Sequence, residues 1–549
     1  MSKNLSELSG RGGIVDNLFE KMGQAAVETG TPSAEQLAKL ANEFLIGNAN
    51  TYGTATFYDF MKPENKGKQV YVCNGSACLC AGTQPDVIDN LKHHFEADQI
   101  GHMTCLGRCH ENGAFHYKGE NYSAKSATDM ADILKGNGSN QDSYAVSGNK
   151  QILTAAPKTV FDVMRALDDA LKQSKQALLD EIQTSRIRGR GGAGFPMSFK
   201  LDACRNEESD TKFIICNADE GDPGAYSDRY LLEVQPMSVL FGMMIAGYIT
   251  GAEWGIVYIR AEYPESIKIV QLAIDELREN KFLGQHIGES DFKFDLKIIH
   301  AQGAYICGEE TALINSIEGQ RPEVRVRPPY PTQKGLFNKP TVVNNVETLA
   351  ALFYIISEGG ENYSKLGTEK SSGTKLICLD SFFNQPGLYE VEMGTPLREV
   401  INDFGGGFKS PVKALHIGGP LGGLVPVNRI DDLNVDFESF AQAGFLLGHA
   451  SVVSVPESFP IIAYLEHIFD FAAYESCGKC FPCRLGTMRA YEMLQKTQKE
   501  DYKISRELFD DLLTTLEAGS LCAHGGGIPL PARNALMYFR EELENYFTD

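Results

Sequence analysis

Cys477, Cys480 and Cys483 stand in ESCGKCFPCRLGT as C-x2-C-x2-C, and Cys522 follows much later in SLCAHGGG. Two intervening residues let neighbouring thiolates turn toward one centre. Three ligands so close, with a fourth brought in by the fold, suit the corners of a cubane [4Fe–4S] cluster. A structural zinc site would more usually present two C-x2-C pairs. A second set lies early in the chain: Cys73 and Cys78 as C-x4-C, then Cys105 and Cys109 as C-x3-C. Two separated pairs can hold [2Fe–2S] or zinc, and the spacing leaves both open. Cys80 reads as a spare thiol. Cys216 and Cys307, in apolar runs, read as small core residues.

Between these sets, RIRGRGGAGFPMSFK places Gly189, Gly191 and Gly194 in the order G-x-G-x-x-G. A dinucleotide fingerprint should follow directly on a strand and open a helix. This run follows a polar helical stretch, EIQTSRIR, so alone it reads equally well as a flexible loop. Its glycines still let the backbone approach a phosphate or flat ring, and Arg190 and Lys200 could complement phosphate charge. Downstream, NADEGDPGAYSDR offers Asp219, Glu220, Asp222 and Asp228 at the end of a strand, where open α/β sheets bind ligands. GAYICGEETALINS puts Glu309 and Glu310 at a helix start, where carboxylates usually serve as caps or dipole partners. Hydride transfer needs no general base, because cofactors carry the chemistry and the protein orients them. Ribose hydroxyls do need acceptors, which paired carboxylates provide. An acidic surround also disfavours the extra phosphate of NADP.

These residues need several domains to position them, as 549 residues predict. A content of 43% hydrophobic and 22% charged residues is that of a soluble globular protein, and a net charge of -21 argues against nucleic-acid binding. MSKNLSELSGRGG lacks a basic region followed by an apolar run, so a cytoplasmic location is expected. The apolar stretch 237–250, continuing into GAEWGIVYI, is broken by Gly242, Gly247 and Gly251 and by Glu253. It falls short of the roughly 20 apolar residues of a bilayer crossing and predicts a buried helix followed by a buried strand, without membrane insertion. Thirteen cysteines without a secretion signal point to metal or redox chemistry.

Residues 1–62 read as an N-terminal helical region. Residues 63–137 read as a small α/β module opened by KQVYVCNG and PDVIDNLKHHF, and 138–155 as a Gly/Ser/Asn-rich linker. Residues 156–360 open with the amphipathic helix VFDVMRALDDALKQS. They alternate helices with strands at KFIICNAD, WGIVYIR and FDLKIIHA, which predicts an open α/β sheet. Short Gly-punctuated segments over 361–456 predict a small β-rich domain, and 457–549 is helical.

RGRGGAGFP, NADEGDPGAYSDR, GAYICGEETALINSIEG, RVRPPYPTQKGLFNKPTVVNNVETLA and ESCGKCFPCRLGT occur in this order. Over roughly residues 155–549 the chain therefore resembles the NADH-binding flavoprotein subunit of respiratory complex I and its soluble relatives. Upstream, YGTATFYDF, VCNGSAC and CLGRC resemble the thioredoxin-like [2Fe–2S] subunit of the same machinery, fused here into one chain. LCAHGGGIPLP, with no further cysteine motif after it, is most similar to the β (diaphorase) subunit of soluble NAD-dependent molybdenum formate dehydrogenase.

The resemblance implies an α/β multidomain fold: N-terminal helices, a thioredoxin-like domain, a Rossmann-like FMN/NADH domain, a ubiquitin-like β domain and a C-terminal helical bundle. It implies that FMN lies against Gly189, Arg190, Gly191, Gly192, Gly194 and Lys200, with Asn217, Asp219 and Glu220 around its ribityl chain. Tyr305, Gly308, Glu309, Asn344 and Asn345 would complete the pocket. NAD(H) would contact Phe195, Asp222, Glu310, Arg327 and Tyr330, and Glu309 with Glu310 would stand nearest the hydride chemistry. Asp222, Arg327 and Tyr330 replace the Glu, Lys and Phe common in complex I, and Ala203 replaces a second aromatic.

The implied activity is that of a diaphorase. A hydride passes between NAD and FMN, and single electrons pass through one [4Fe–4S] and one [2Fe–2S] cluster. The partner subunit is expected to be a molybdopterin formate dehydrogenase α subunit, with a small accessory subunit beside it. An NAD-reducing hydrogenase, or another complex I-like or bifurcating enzyme, is the alternative. A zinc-bound scaffold without redox activity is the rival of another class.

Overall fold

Asn17 opens the first long helix, Leu18–Thr29, by accepting the N–H of Glu20 at 3.1 Å, and Gly30 closes it in the left-handed region. Ser33 and Gln36 form a capping box on the next, Ala34–Glu43. The computed structural model describes residues 3–124, 126–288 and 290–548. Leu18, Phe19, Met22, Phe44 and Tyr58 of this N-terminal region share one core with Ile215, Ile299, Leu313 and Ile317 of the α/β domain. The helices are thus a cover on the larger domain's sheet.

The thioredoxin-like module has a four-stranded sheet in the order Ile100–Met103, Val70–Cys73, Ala114–Tyr117, Glu120–Ser123. Its first pair is parallel and the rest antiparallel.

The segment read as a linker departs from that expectation. Ala145–Gly148 forms a strand that pairs in parallel with Gly387–Glu392, at the edge of the β-rich domain's six-stranded sheet. Its Gly, Ser and Asn suggested flexibility, but Tyr144, Val146 and Ile152 pack on the main core. Beyond the strand, Glu390 accepts the backbone N–H groups of Ile152 (2.9 Å), Leu153 (3.0 Å) and Thr154 (2.9 Å).

The central sheet is wholly parallel, in the order Asp295–His300, Trp254–Ile259, Phe213–Ala218, Thr341–Asn345. Its two inner strands Trp254–Ile259 and Phe213–Ala218 are largely apolar, as burial on both faces requires. Pro236–Thr250 is the buried helix expected there. A Cβ on Gly242 would stand 2.0 Å from the carbonyl oxygen of Leu349, so the glycine lets this helix approach Val346–Glu358 closely. Among the described residues no single helix is long and apolar enough to cross a membrane.

The C-terminal region consists of the helices Ile461–Tyr474, Phe481–Lys499, Arg506–Gly519, Ala523–Gly527, Pro529–Tyr538 and Arg540–Leu543. It is tied off by a short parallel pairing of Ile504–Ser505 with Phe547–Thr548.

Candidate functional site

The glycine loop joins the helices Lys175–Ser185 and Met197–Asn206 and is closed on itself, Gly189 N donating to Phe195 O at 2.8 Å. It lies at the carboxyl ends of the parallel strands: a Cβ on Gly191 would meet Cβ of Asn345 at 2.9 Å. Asn344 and Asn345 end the strand Thr341–Asn345, Asn217 nearly ends Phe213–Ala218, and Asp219 and Glu220 follow it.

Arg190 corrects one expectation. Its guanidinium is buried and turned away from the loop's open side, donating to Tyr363 Oη at 3.1 Å and to Ser372 O at 2.5 Å. It staples the loop to the β-rich domain and is not free to meet a phosphate. Lys200 is different: its ammonium donates to Glu310 at 2.9 Å and to Val343 O at 3.1 Å, inside the hollow.

On the acidic side, Glu309 caps the helix Glu310–Ile317, accepting the N–H of Thr311 and Ala312, both at 2.9 Å. Its other oxygen faces Arg327 at 3.3 Å, while Glu310 lies between Lys200 and Arg327 (3.1 Å). Glu309 is therefore held by its own helix, and Glu310 by the two cations. Asn217 donates to the carbonyl of Gly308 at 2.8 Å, and Tyr305 to Asp222 at 2.8 Å. Burial pushes the carboxyls of Asp219 and Asp222 upward. Asp219 Oδ2 and Asn344 Nδ2 are buried without partners. An acceptor and a donor left open beside a glycine cradle fit the hydroxyls and phosphate of an FMN molecule. Phe195, Phe199, Val326 and Tyr330 are all exposed at the rim.

Both thiol sets flank this hollow. Cys73 ends a strand, Cys78 sits on Ser76–Ala81, and Cys105 and Cys109 lie in the loop after the strand Ile100–Met103 with sulfurs 3.3 Å apart. Gly224 of the α/β domain donates its N–H to Cys109 Sγ at 3.1 Å. On the other flank Cys480 and Cys522 cap the helices that follow them, with Cys483 in the first turn. Tyr305 connects the hollow to this set: its N–H donates to Glu475 at 2.9 Å and its ring stands edge-on to Phe471. Burial raises Cys483 to about 11 and Cys522 to about 12, so the thiolates that ligation requires need cations to hold them. Four thiols on either flank are the donor set that an iron–sulfur cluster takes.

The sequence reading missed the contribution of the β-rich domain. Gly418–Gly419 and Gly448–His449 form a wall of the hollow, a Cβ on Gly419 lying 2.4 Å from the Asp222 carboxylate. The paired glycines of HIGGPLGG were the available signal; His449, a lone histidine, gave none.

A glycine-loop hollow at the carboxyl ends of an open parallel sheet, with a four-cysteine set on either flank, defines a flavin- and iron–sulfur-dependent electron-transfer protein. Residues 182–354 match the Nuo51 FMN-binding domain, 463–546 the NADH-ubiquinone oxidoreductase-F iron-sulfur binding region, and 16–137 the thioredoxin-like [2Fe-2S] ferredoxin. The last match begins within the N-terminal helices. The chain is 41% identical over 386 residues to the NADP-reducing hydrogenase subunit HndC of Solidesulfovibrio fructosivorans, covering 70% of this chain and 78% of that one. It is 37% identical over 388 residues to the alpha subunit of the NAD-reducing hydrogenase HoxS of Cupriavidus necator, covering 70% and 63%. Its structure matches a chain of an NAD+-reducing [NiFe]-hydrogenase in the H2-reduced state with a TM-score of 0.85 at 28% identity, over 97% of this chain and 92% of that one. The chain belongs to the family of the complex I 51 kDa NADH-binding FMN subunits, with the thioredoxin-like [2Fe–2S] domain fused to it.

Proposed function

We propose that this chain is the NAD(H)-linked diaphorase subunit of a soluble, cytoplasmic, multi-subunit oxidoreductase whose other half-reaction, formate oxidation at a molybdopterin, resides on a partner. The observation that carries the reading is the single hollow flanked by two cysteine sets, one touching it through Gly224 and the other through Tyr305. FMN, when bound, would exchange electron pairs as hydride with NAD and single electrons with the clusters.

The chain's own part is to orient and exclude. Phe195, Phe199 and Tyr330 offer exposed rings for a base to stack on. Glu310 accepts ribose hydroxyls, and the carboxylates around it repel the additional phosphate of NADP. On the Cys477–Cys522 side, Phe481, Leu485 and Met488 form an exposed apolar stripe at helical spacing, with Leu521 next to Cys522. That face suits the partner subunit, placing its acceptor beside the [4Fe–4S] site.

LCAHGGGIPLP supports formate as the partner's substrate. The match to an NAD+-reducing hydrogenase over nearly the whole chain favours hydrogen as the second reading. Affinity purification of the chain with its native partners, followed by metal analysis and assay, decides between them. Molybdenum with formate-dependent NAD+ reduction is expected; nickel with hydrogen-dependent reduction would establish the second reading. Absence of flavin bleaching by NADH in the purified complex would overturn both.

A further inference from the structure

His449 precedes the strand Ser451–Pro456, and its backbone lines the glycine loop: a Cβ on Gly192 would lie 3.9 Å from His449 N. Its imidazole turns into the α/β domain, 6% exposed, and there meets two carboxylates. Nε2 stands 3.5 Å from Glu220 Oε1 and 3.6 Å from Asp228 Oδ2.

Neither carboxylate can turn to water, with Glu220 4% and Asp228 2% exposed. Each is fixed by other donors. Glu220 accepts the N–H groups of Asp228 (2.9 Å) and Arg229 (3.1 Å) and the hydroxyl of Tyr263 (3.0 Å). Asp228 accepts from Asn345 Nδ2 at 2.6 Å, the same asparagine that backs Gly191. The cluster therefore lies directly behind the glycine loop.

The other charged groups facing it are Asp222, Lys375 and Arg260, whose guanidinium donates to the Glu220 carbonyl oxygen and pairs with Glu262 at 3.0 Å. Lys375 is already paired with Glu347, itself fully buried. His449 is thus the cation nearest the two enclosed carboxylates; neither ring nitrogen has a hydrogen-bond partner, so the carboxylates act on the ring through their charge. Burial alone would lower it, but Asp228 and Glu220 outweigh that and raise it to about 9. Burial, with Asp228 beside it, pushes Glu220 up to about 7.

We propose that His449 is a positioning residue for the redox chemistry of this hollow: held as an imidazolium between Glu220 and Asp228, it offsets negative charge behind the glycine loop and so favours the electron-rich state of the bound flavin. The inference rests on the flavin reading given above. A charge in a water-poor wall acts over several ångströms without contact.

At pH 6, with Glu220 raised to about 7 and His449 to about 9, both hold their protons in this cluster. His449→Gln leaves it one unit more negative. The test is a redox titration of the flavin in the purified complex at pH 6 to pH 8, with FMN content measured alongside. His449→Gln is expected to lower the flavin's reduction equilibrium constant about tenfold at pH 6. The gap should narrow toward pH 8, because without the imidazolium Glu220 keeps a proton that the wild type has shed. Asp228→Asn removes a negative charge from the same cluster with little change of shape, and should shift the equilibrium the opposite way. Shifts of the same sign in both variants, or an unmoved potential at full FMN content, would overturn the proposal. Should His449→Gln fail to retain flavin, Asp228→Asn decides alone: easier reduction supports the proposal and no change sinks it. A wild type that binds no FMN would instead defeat the functional reading beneath it.

Discussion

Phe199 is 65% exposed and stands edge-on to Phe195, their centroids 5.5 Å apart, on the helix that delivers Lys200 to the hollow. A large ring turned to solvent at the rim of a nucleotide site is poised for stacking, and it lies one helical turn before Ala203, where an aromatic was missing. Phe199→Ala is expected to raise KM for NADH about tenfold, the worth of one aromatic stack, while leaving kcat nearly unchanged. An unaltered KM would mean that the ring has no part in binding. Such residues show how much of the site is legible in a sequence. The two four-cysteine sets stood out because cluster chemistry admits few residue types and constrains their spacing. Arg190 was not, since the direction of its guanidinium depends on Tyr363 and Ser372, more than 170 positions away. His449 acquires meaning only from Glu220 and Asp228, which the fold brings from another domain.

The element that fastens the β-rich domain to the glycine loop's supporting helix is a buried ion pair. Lys375, on the strand Thr374–Leu379, donates to Glu347 in the first turn of Val346–Glu358, and both side chains are 0% exposed. The same carboxylate accepts the N–H of Leu376 at 3.0 Å, and the neighbouring Thr348 hydroxyl accepts the N–H of Arg190 at 2.8 Å. Lys375→Met would leave Glu347 charged and unpaired, which costs about 3–5 kcal/mol. Denaturant unfolding should show that loss, and Glu347→Gln in the same background should restore part of it. A loss below about 1 kcal/mol would place the pair among those that contribute little. At this scale three of the four central strands were visible as apolar runs, whereas Thr341–Asn345 was hidden by its two terminal asparagines, which serve the site rather than the sheet. Ala145–Gly148 was hidden for the opposite reason: a Gly- and Ser-rich edge strand looks like a linker until its partner Gly387–Glu392 is known.

Across the whole molecule, motif order revealed the modules, and what it could not reveal is how they face one another, because those contacts join side chains hundreds of residues apart. Two histidines of the β-rich domain show what the interfaces demand. His449 meets the α/β domain charged, whereas His416 meets the C-terminal helices, 3% exposed, with Nδ1 2.8 Å from the hydroxyl of Tyr464. Burial lowers His416 to about 4, so the fold holds this ring neutral. A histidine with a lowered native value binds fewer protons folded than unfolded between about 4 and its ordinary 6.5. Its contribution is complete above pH 6.5 and disappears as pH falls toward 4, a change of about 3 kcal/mol. Buried carboxylates respond in the opposite sense, Glu220 and Asp380 being raised by burial to about 7 and about 6. The total stability therefore does not isolate the histidine, but the difference between wild type and His416→Gln does. The glutamine has no proton to gain, so acidification from pH 7 to pH 4.5 should destabilise the wild type relative to the variant by most of that amount. Parallel unfolding curves for the two proteins across this range would mean that the interface opens to admit the charge before the domains come apart.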